Sequence, residues 1–167
     1  MSATAPASVL LRAASLVDTH AIAGAIASLA RSGDVVLVAG EMGSGKTAFA
    51  QGFGQALGVS EPITSPTFTL VHSYDTGGIT LHHADLYRLE RLGEVADLAL
   101  GELAEFDGVV LVEWGDVVAG AFGDHLLVRL DVVDGDEGGR VVTISALGAA
   151  WATRWAALER ATAVFAL

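Results

Sequence analysis

Asp34-Val35-Val36-Leu37-Val38-Ala39-Gly40-Glu41-Met42-Gly43-Ser44-Gly45-Lys46-Thr47-Ala48-Phe49-Ala50-Gln51 decides how this chain folds. The stretch from Asp34 to Ala39 is short, apolar and rich in β-branched residues, the pattern of a buried parallel strand. Gly40 to Thr47 fits G-x-x-x-x-G-K-[ST], the phosphate-binding P-loop. Its glycines let the backbone curl, so that the N–H groups of Glu41, Met42, Gly43, Ser44 and Gly45 can point inward at phosphate oxygens. Lys46 then reaches the β- and γ-phosphates, and the Thr47 hydroxyl binds Mg²⁺. The loop opens into a helix whose N–H groups and positive dipole end favour anions. Phe49, Phe53 and Leu57 recur four apart along that helix, and Gly58 is placed to stop it. A Gly-rich turn that merely joins a strand to a helix is the alternative. The order strand, loop, helix is what phosphate binding requires.

Lys46 is the only lysine of the chain; arginine fills the other basic positions. With 167 residues, one domain spanning 1–167 can bury a proper core. The 52% hydrophobic and 17% charged content suits a compact fold around a buried sheet. There is no cysteine, hence no disulfide framework and no thiolate metal site, which fits a reducing compartment. Met1-Ser2-Ala3-Thr4-Ala5-Pro6 lacks the charged and apolar segments of a secretory signal. No uncharged apolar run approaches membrane-spanning length, so no membrane role is expected. A net charge of −11 with only 9 Lys and Arg argues against direct, tight binding of RNA or DNA. A role in nucleic-acid metabolism needs a basic partner to hold the polymer.

Outside the P-loop the expected elements run as follows. The first residues read as a frayed tail. Asp18-Thr19 caps a helix reaching about Arg31, and Ser32-Gly33 ends it. Val59 to Pro66 is a Pro-punctuated loop. Thr67–Tyr74 and Ile79–Asp85 are strands joined by a hairpin turn at Asp75-Thr76-Gly77-Gly78. Leu86 to Phe106 has an acidic helical pattern, and Val109–Val112 is a second apolar strand. Leu126–Val133 and Arg140–Ala146 form a hairpin around residues 134–139. Ala149–Phe165 is a closing helix with Trp151, Trp155 and Leu158 on one side. The expected fold class is α/β: a mixed, mostly parallel sheet with β-hairpins and helices on both faces.

A phosphate loop needs carboxylates beside it. Glu113 ends the apolar run Val109–Val112 and should emerge at a strand's C-terminal end, where ligands sit in open α/β sheets. It is the candidate Mg²⁺ ligand, or else an ordinary acid at a strand–loop boundary. Asp85 ends its own strand, with His83 on the same face by period two. It is the candidate to position water, or else caps the next helix. His82 and His83 read as strand residues satisfied by local hydrogen bonds. Ser65-Pro66-Thr67 either closes over the γ-phosphate as a switch segment does or is a plain turn. Trp114, taken alone, reads as a packing residue. Arg88, Arg91 and Arg140 are the arginines nearest the site, available to phosphate charge or to surface ion pairs.

Together Gly40–Thr47, Ser65-Pro66-Thr67-Phe68-Thr69-Leu70-Val71, Asp85-Leu86-Tyr87-Arg88-Leu89 and Val112-Glu113-Trp114 resemble, in order, the motifs of the TsaE (YjeE) family. The resemblance runs from about Asp34 to Asp116. It implies a single-domain P-loop ATPase of the cytoplasm that binds ATP and Mg²⁺. Proteins of this family act with TsaD and TsaB, which assemble the threonylcarbamoyl modification on adenosine 37 of tRNAs reading codons that begin with A. By the same comparison Lys46 and Thr47 bind phosphate and Mg²⁺, Glu113 ligates Mg²⁺, and Asp85 is catalytic. Ser65, Pro66 and Thr67 fall on the switch-like segment, Trp114 on the family tryptophan, and Arg140 on a nucleotide contact. His82-His83-Ala84 stands before Asp85 where an aromatic residue often precedes the aspartate.

Two other functions fit a P-loop. A small kinase would phosphorylate a metabolite or nucleoside, but no Arg-rich lid segment is evident. A passive binder would hold nucleotide without turning it over. No N-K-x-D-like guanine reader is present, which favours ATP.

Overall fold

The computed structural model describes residues 6–64, 71–86, 108–114, 120 and 122–167. The strands are β1 (Ala7–Ala13), β2 (Val35–Gly40), β3 (Val71–Tyr74), β4 (Thr80–Asp85), β5 (Gly108–Glu113), β6 (His125–Val133) and β7 (Asp136–Leu147). The helices among the described residues are α1 (Leu16–Leu29), α2 (Lys46–Leu57) and α3 (Trp155–Ala161). The strands form one seven-stranded sheet in the order β1-β7-β6-β2-β5-β4-β3. Its centre, β6-β2-β5-β4, is parallel, and antiparallel pairs flank it on both sides. This is the expected α/β class.

β2 and β5 are buried at every position, as their unbroken apolar runs foretell. Period two divides their side chains between the faces. Val36, Val38, Val109 and Leu111 join the larger core with α1 and α2, whereas Val35, Leu37, Val110 and Val112 pack on the opposite face. Phe49 and Phe53 of α2 stack on each other within the larger core, with ring centroids 6.4 Å apart. Gly58 ends α2 in the left-handed region, its N–H returned to the carbonyls of Gly54 and Gln55. Apart from Leu86, the helix expected over Leu86 to Phe106 lies outside the described residues, as does the start of the strand expected from Thr67.

Four expectations need correction. The supposed frayed tail contains β1, which pairs with β7 from Ala7↔Ala146 to Ala13↔Arg140. Leu11 and Ala13 alternate into the core, so burial together with a partner strand far away in sequence stabilises this edge. The cap of α1 is Ser15, not Asp18-Thr19: Ser15 Oγ accepts from the Asp18 N–H at 3.4 Å, and Asp18 Oδ2 accepts from the Ala14 N–H at 2.9 Å. These reciprocal bonds occupy donors that the helix start leaves open. The β6–β7 loop is much shorter than expected, because β7 begins at Asp136 and a register shift next to Val132/Val133 absorbs the extra residues as a bulge.

The closing helix is also broken. The carboxylate of Asp124 accepts the N–H groups of Ala149 and Ala150, which anchors a turn there. Helix proper spans Trp155–Ala161, then Thr162 turns its hydroxyl back to the Leu158 carbonyl before a 3-10 turn at Ala163–Phe165. Arg154 ties this region to the start of β2 through a buried two-pronged ion pair with Asp34, at 2.6 and 2.9 Å.

Candidate nucleotide site

β2, β4 and β5 all end on one edge of the sheet, and α2 starts there. A cavity of about 360 Å³ opens at this edge, lined by residues that include Gly43, Gly45, Lys46, Thr47, Asp85, Glu113 and Trp114. Gly40 leaves β2 so close to its neighbours that a Cβ would lie 2.6 Å from the Leu130 carbonyl oxygen and collide with Ser44. Gly43 and Gly45 have open space around them but adopt φ of +81° and +103°, so conformation rather than room calls for glycine there. α2 begins at Lys46 with no side-chain cap and no acid in its first turn. Its first N–H groups therefore lack the usual side-chain acceptor, the arrangement that suits a bound anion.

Lys46 is almost wholly buried. Its Nζ donates to the carbonyls of Gly40 at 2.9 Å and Glu41 at 2.7 Å, and lies 3.9 Å from the centroid of the Trp114 ring. Trp114 reaches that place with φ of +64°, rare for a bulky residue and a sign of stored strain at the end of β5. The indole both packs against the smaller core, as expected of it, and lines the cavity.

Thr47 Oγ1 donates to Glu113 Oε1 at 2.9 Å. The other oxygen, Glu113 Oε2, lies 2.6 Å from His83 Nε2. Glu113 and His83 are both buried. Asp85 stands opposite Glu113 in the parallel register of β4 and β5, and the Leu86 N–H donates to the Glu113 carbonyl at 3.2 Å. The two acids are therefore neighbours across one strand gap, each ending its own strand. A hydroxyl and a carboxylate converging beside a phosphate loop form a hard, all-oxygen donor pair, which fits Mg²⁺ with phosphate oxygens and water completing the shell.

Arg140 projects from β7 onto the outside of the loop. Its Nε donates to the Ser44 carbonyl at 2.7 Å and its Nη2 to the Gly43 carbonyl at 3.2 Å. Nη1 donates to the carbonyls of Glu137 and Gly139. In this geometry the guanidinium braces the loop from behind. Ser44 is fully buried, and its hydroxyl has no partner among the described residues. Ser65, Pro66 and Thr67, and likewise Arg88 and Arg91, lie outside the described residues.

A sequence profile of the family described as "Threonylcarbamoyl adenosine biosynthesis protein TsaE" matches residues 13–141. The chain belongs to the TsaE family. The Bacillus subtilis protein named tRNA threonylcarbamoyladenosine biosynthesis protein TsaE is 38% identical over 131 residues, covering 78% of this chain and 81% of that protein. A Streptomyces coelicolor protein of the same name is 42% identical over 134 residues, covering 77% and 90%. The crystal structure of YdiB from Bacillus subtilis matches with a TM-score of 0.76 at 30% identity, over 95% of this chain and 98% of that one. Membership of the TsaE family implies nucleotide binding, in keeping with the P-loop.

Within this TsaE-family site, sequence reasoning missed His83. The sequence suggests a strand residue satisfied by local hydrogen bonds, whereas the ring spans to Glu113 on the neighbouring strand. The usable signal was periodicity: Leu81, His83 and Asp85 share one face, and so do Val109, Leu111 and Glu113. His82, one residue away, points to the opposite face, where its Nδ1 meets Ser73 Oγ at 2.7 Å. Burial lowers its pKa below the ordinary imidazole value of 6.5, so the neutral ring is favoured.

Proposed function

We propose that this chain binds ATP with Mg²⁺, hydrolyses it, and thereby supports formation of the threonylcarbamoyl group on adenosine 37 of tRNAs reading codons that begin with A. In this reading it acts in the cytoplasm as the nucleotide-driven partner of TsaD and TsaB, with residues 1–167 as one P-loop ATPase domain. The observation that carries the reading is the convergence of Lys46, Thr47 and Glu113 on one cavity at the start of α2.

Each residue has a distinct task. The loop N–H groups and the start of α2 hold phosphate oxygens, and the Lys46 ammonium supplies charge at the β- and γ-phosphates. Thr47 and Glu113 hold Mg²⁺, which when bound neutralises charge on those oxygens. Asp85, beside Glu113, orients the attacking water and takes its proton as the water oxygen bonds to the γ-phosphorus and the bond from that phosphorus to the β,γ-bridging oxygen breaks, releasing ADP and phosphate. Ser65, Pro66 and Thr67 act as the switch segment, and Trp114 takes part in coupling to the partner. Arg140 keeps the loop in shape for the nucleotide.

Direct tRNA binding is not part of the reading. Net charge is −11, and Arg12 is paired with Asp136, Arg154 with Asp34, and Arg140 with the loop. tRNA is held through the complex. No helix among the described residues is long and apolar enough to cross a membrane.

Phosphate release from ATP, measured with and without purified TsaD and TsaB, tests this function. Slow release by the chain alone is expected, because no arginine among the described residues lines the cavity, and faster release once the partners are added. Phosphate transferred to a small-molecule acceptor instead of water would point to a kinase. Binding without turnover in either condition would point to a passive nucleotide holder.

A further inference from the structure

We propose that His83 is a positioning residue for the metal-binding carboxylate: its imidazole N–H fixes Glu113 so that Oε1 is presented to Thr47 and to the metal beside it. The inference rests on the reading of Thr47 and Glu113 as the Mg²⁺-holding pair, and it explains how that pair is kept in place.

Three elements meet at this carboxylate. Glu113 comes from the end of β5, Thr47 from the first turn of α2, and His83 from the penultimate-but-one position of β4. Oε1 takes the Thr47 hydroxyl at 2.9 Å and Oε2 faces the His83 ring nitrogen at 2.6 Å. A carboxylate accepts, so Nε2 donates. With one partner on each oxygen, rotation of the carboxylate about its terminal bond breaks a hydrogen bond in a site where His83 is 0% and Glu113 2% exposed. Without the ring, Oε2 loses its anchor, and the oxygen pointed at Thr47 is no longer fixed.

The position argues against a purely structural histidine. On the same face of β4, Leu81 is buried, and the residue paired with His83 on β5 is Leu111. An apolar side chain would continue that row but would leave Glu113 Oε2 without its described donor. The imidazole instead brings a second nitrogen, Nδ1, that is buried with no partner among the described residues. Burying such an atom lowers stability. The ring's one described polar tie runs to Glu113, so that tie is what the residue supplies.

Calorimetric titration of ATP, once with Mg²⁺ and once with EDTA, separates the metal-linked part of binding from the rest. His83→Leu keeps the volume but removes the donor. It is expected to weaken ATP binding in Mg²⁺ by about tenfold to a hundredfold, while binding in EDTA stays within roughly twofold of the parent. His83→Gln, which carries an amide donor of similar reach, should recover most of the loss. His83→Asn, whose amide stops short of the carboxylate, should not recover it; this second contrast stands even where the leucine variant fails to fold, as ligand-free melting curves would reveal. Adding His83→Leu or His83→Asn to Glu113→Gln should bring little further loss, because both act through one carboxylate.

Equal weakening in Mg²⁺ and EDTA, or no recovery with glutamine, would overturn the positioning role while leaving Glu113 as ligand intact, provided Glu113→Gln alone loses the Mg²⁺-linked gain. If Glu113→Gln keeps that gain, the metal-ligand reading itself fails, and the role given to His83 fails with it.

Discussion

Glu113→Ala is expected to slow ATP hydrolysis by roughly a hundredfold to a thousandfold, about 2.7–4 kcal/mol of transition-state stabilisation. The carboxylate holds Thr47 on one oxygen and His83 on the other, so its removal dismantles the oxygen pair beside the phosphate loop in a single step. Steady-state phosphate release in saturating Mg²⁺ and ATP reads the effect. Nucleotide binding in EDTA should change far less, because Lys46 and the loop N–H groups are untouched. The variant also leaves the His83 ring without its acceptor, which costs about 1–3 kcal/mol of stability. Rates should therefore be taken well below the variant's melting point. A turnover rate equal to the parent's would remove Glu113 from the chemistry.

Arg154→Ala should lower folding stability by about 3–5 kcal/mol, the usual cost of leaving one member of a buried ion pair alone. Arg154 and Asp34 are each close to fully buried, and the pair is two-pronged, at 2.6 and 2.9 Å. The guanidinium also donates to the carbonyls of Leu29 at 2.9 Å and Ala150 at 2.8 Å, and stacks 4.0 Å from the Trp151 ring centroid. Asp34 Oδ2 accepts the Arg31 N–H at 2.7 Å as well. One side chain thus joins the end of α1, the start of β2 and the turn before α3. For a domain of this size the loss corresponds to a fall of roughly 10 °C in melting temperature. Urea unfolding should show a lower midpoint with an unchanged slope. Replacing both partners with apolar residues of similar volume should cost less than losing the arginine alone, since no charge is then stranded. A change under 1 kcal/mol in the single variant would mean that the pair contributes little.

The features that were legible in the sequence are local ones. β2 and β5 announce themselves as unbroken apolar runs, and Gly40–Thr47 fixes the turn between β2 and α2 by spacing alone. Glu113 follows such a run and Asp85 closes the strand pattern of Ile79–Asp85, so both fall at strand ends, and the register of β4 on β5 brings them side by side. The features that escaped depend on partners distant in sequence. β1 has little strand character in Ala7-Ser8 and becomes a strand by pairing with β7. His83 needed the register of two strands before its link to Glu113 could be seen. Arg154 reaches Asp34 across more than 90 residues, and although Arg140 is expected near the site, its bonds to the Ser44 and Gly43 carbonyls span as far. The helical period of Ala149–Phe165 was real in part, but Asp124 captures the backbone at Ala149 and Ala150 and shortens the helix. Pairings of this kind are set by the tertiary fold, and no window of neighbouring residues contains them.

In the proposed function the loop from Gly40 to Thr47, closed by the ammonium of Lys46, grips metal-bound ATP. Isothermal titration of Mg-ATP into the parent chain and into Lys46→Ala tests it most directly. Saturable heat is expected with the parent, and affinity lower by about tenfold or more in the variant, as loss of a charge-assisted contact worth about 1.5–3 kcal/mol requires. No heat of association with the parent, or a variant that binds Mg-ATP as tightly, would contradict it.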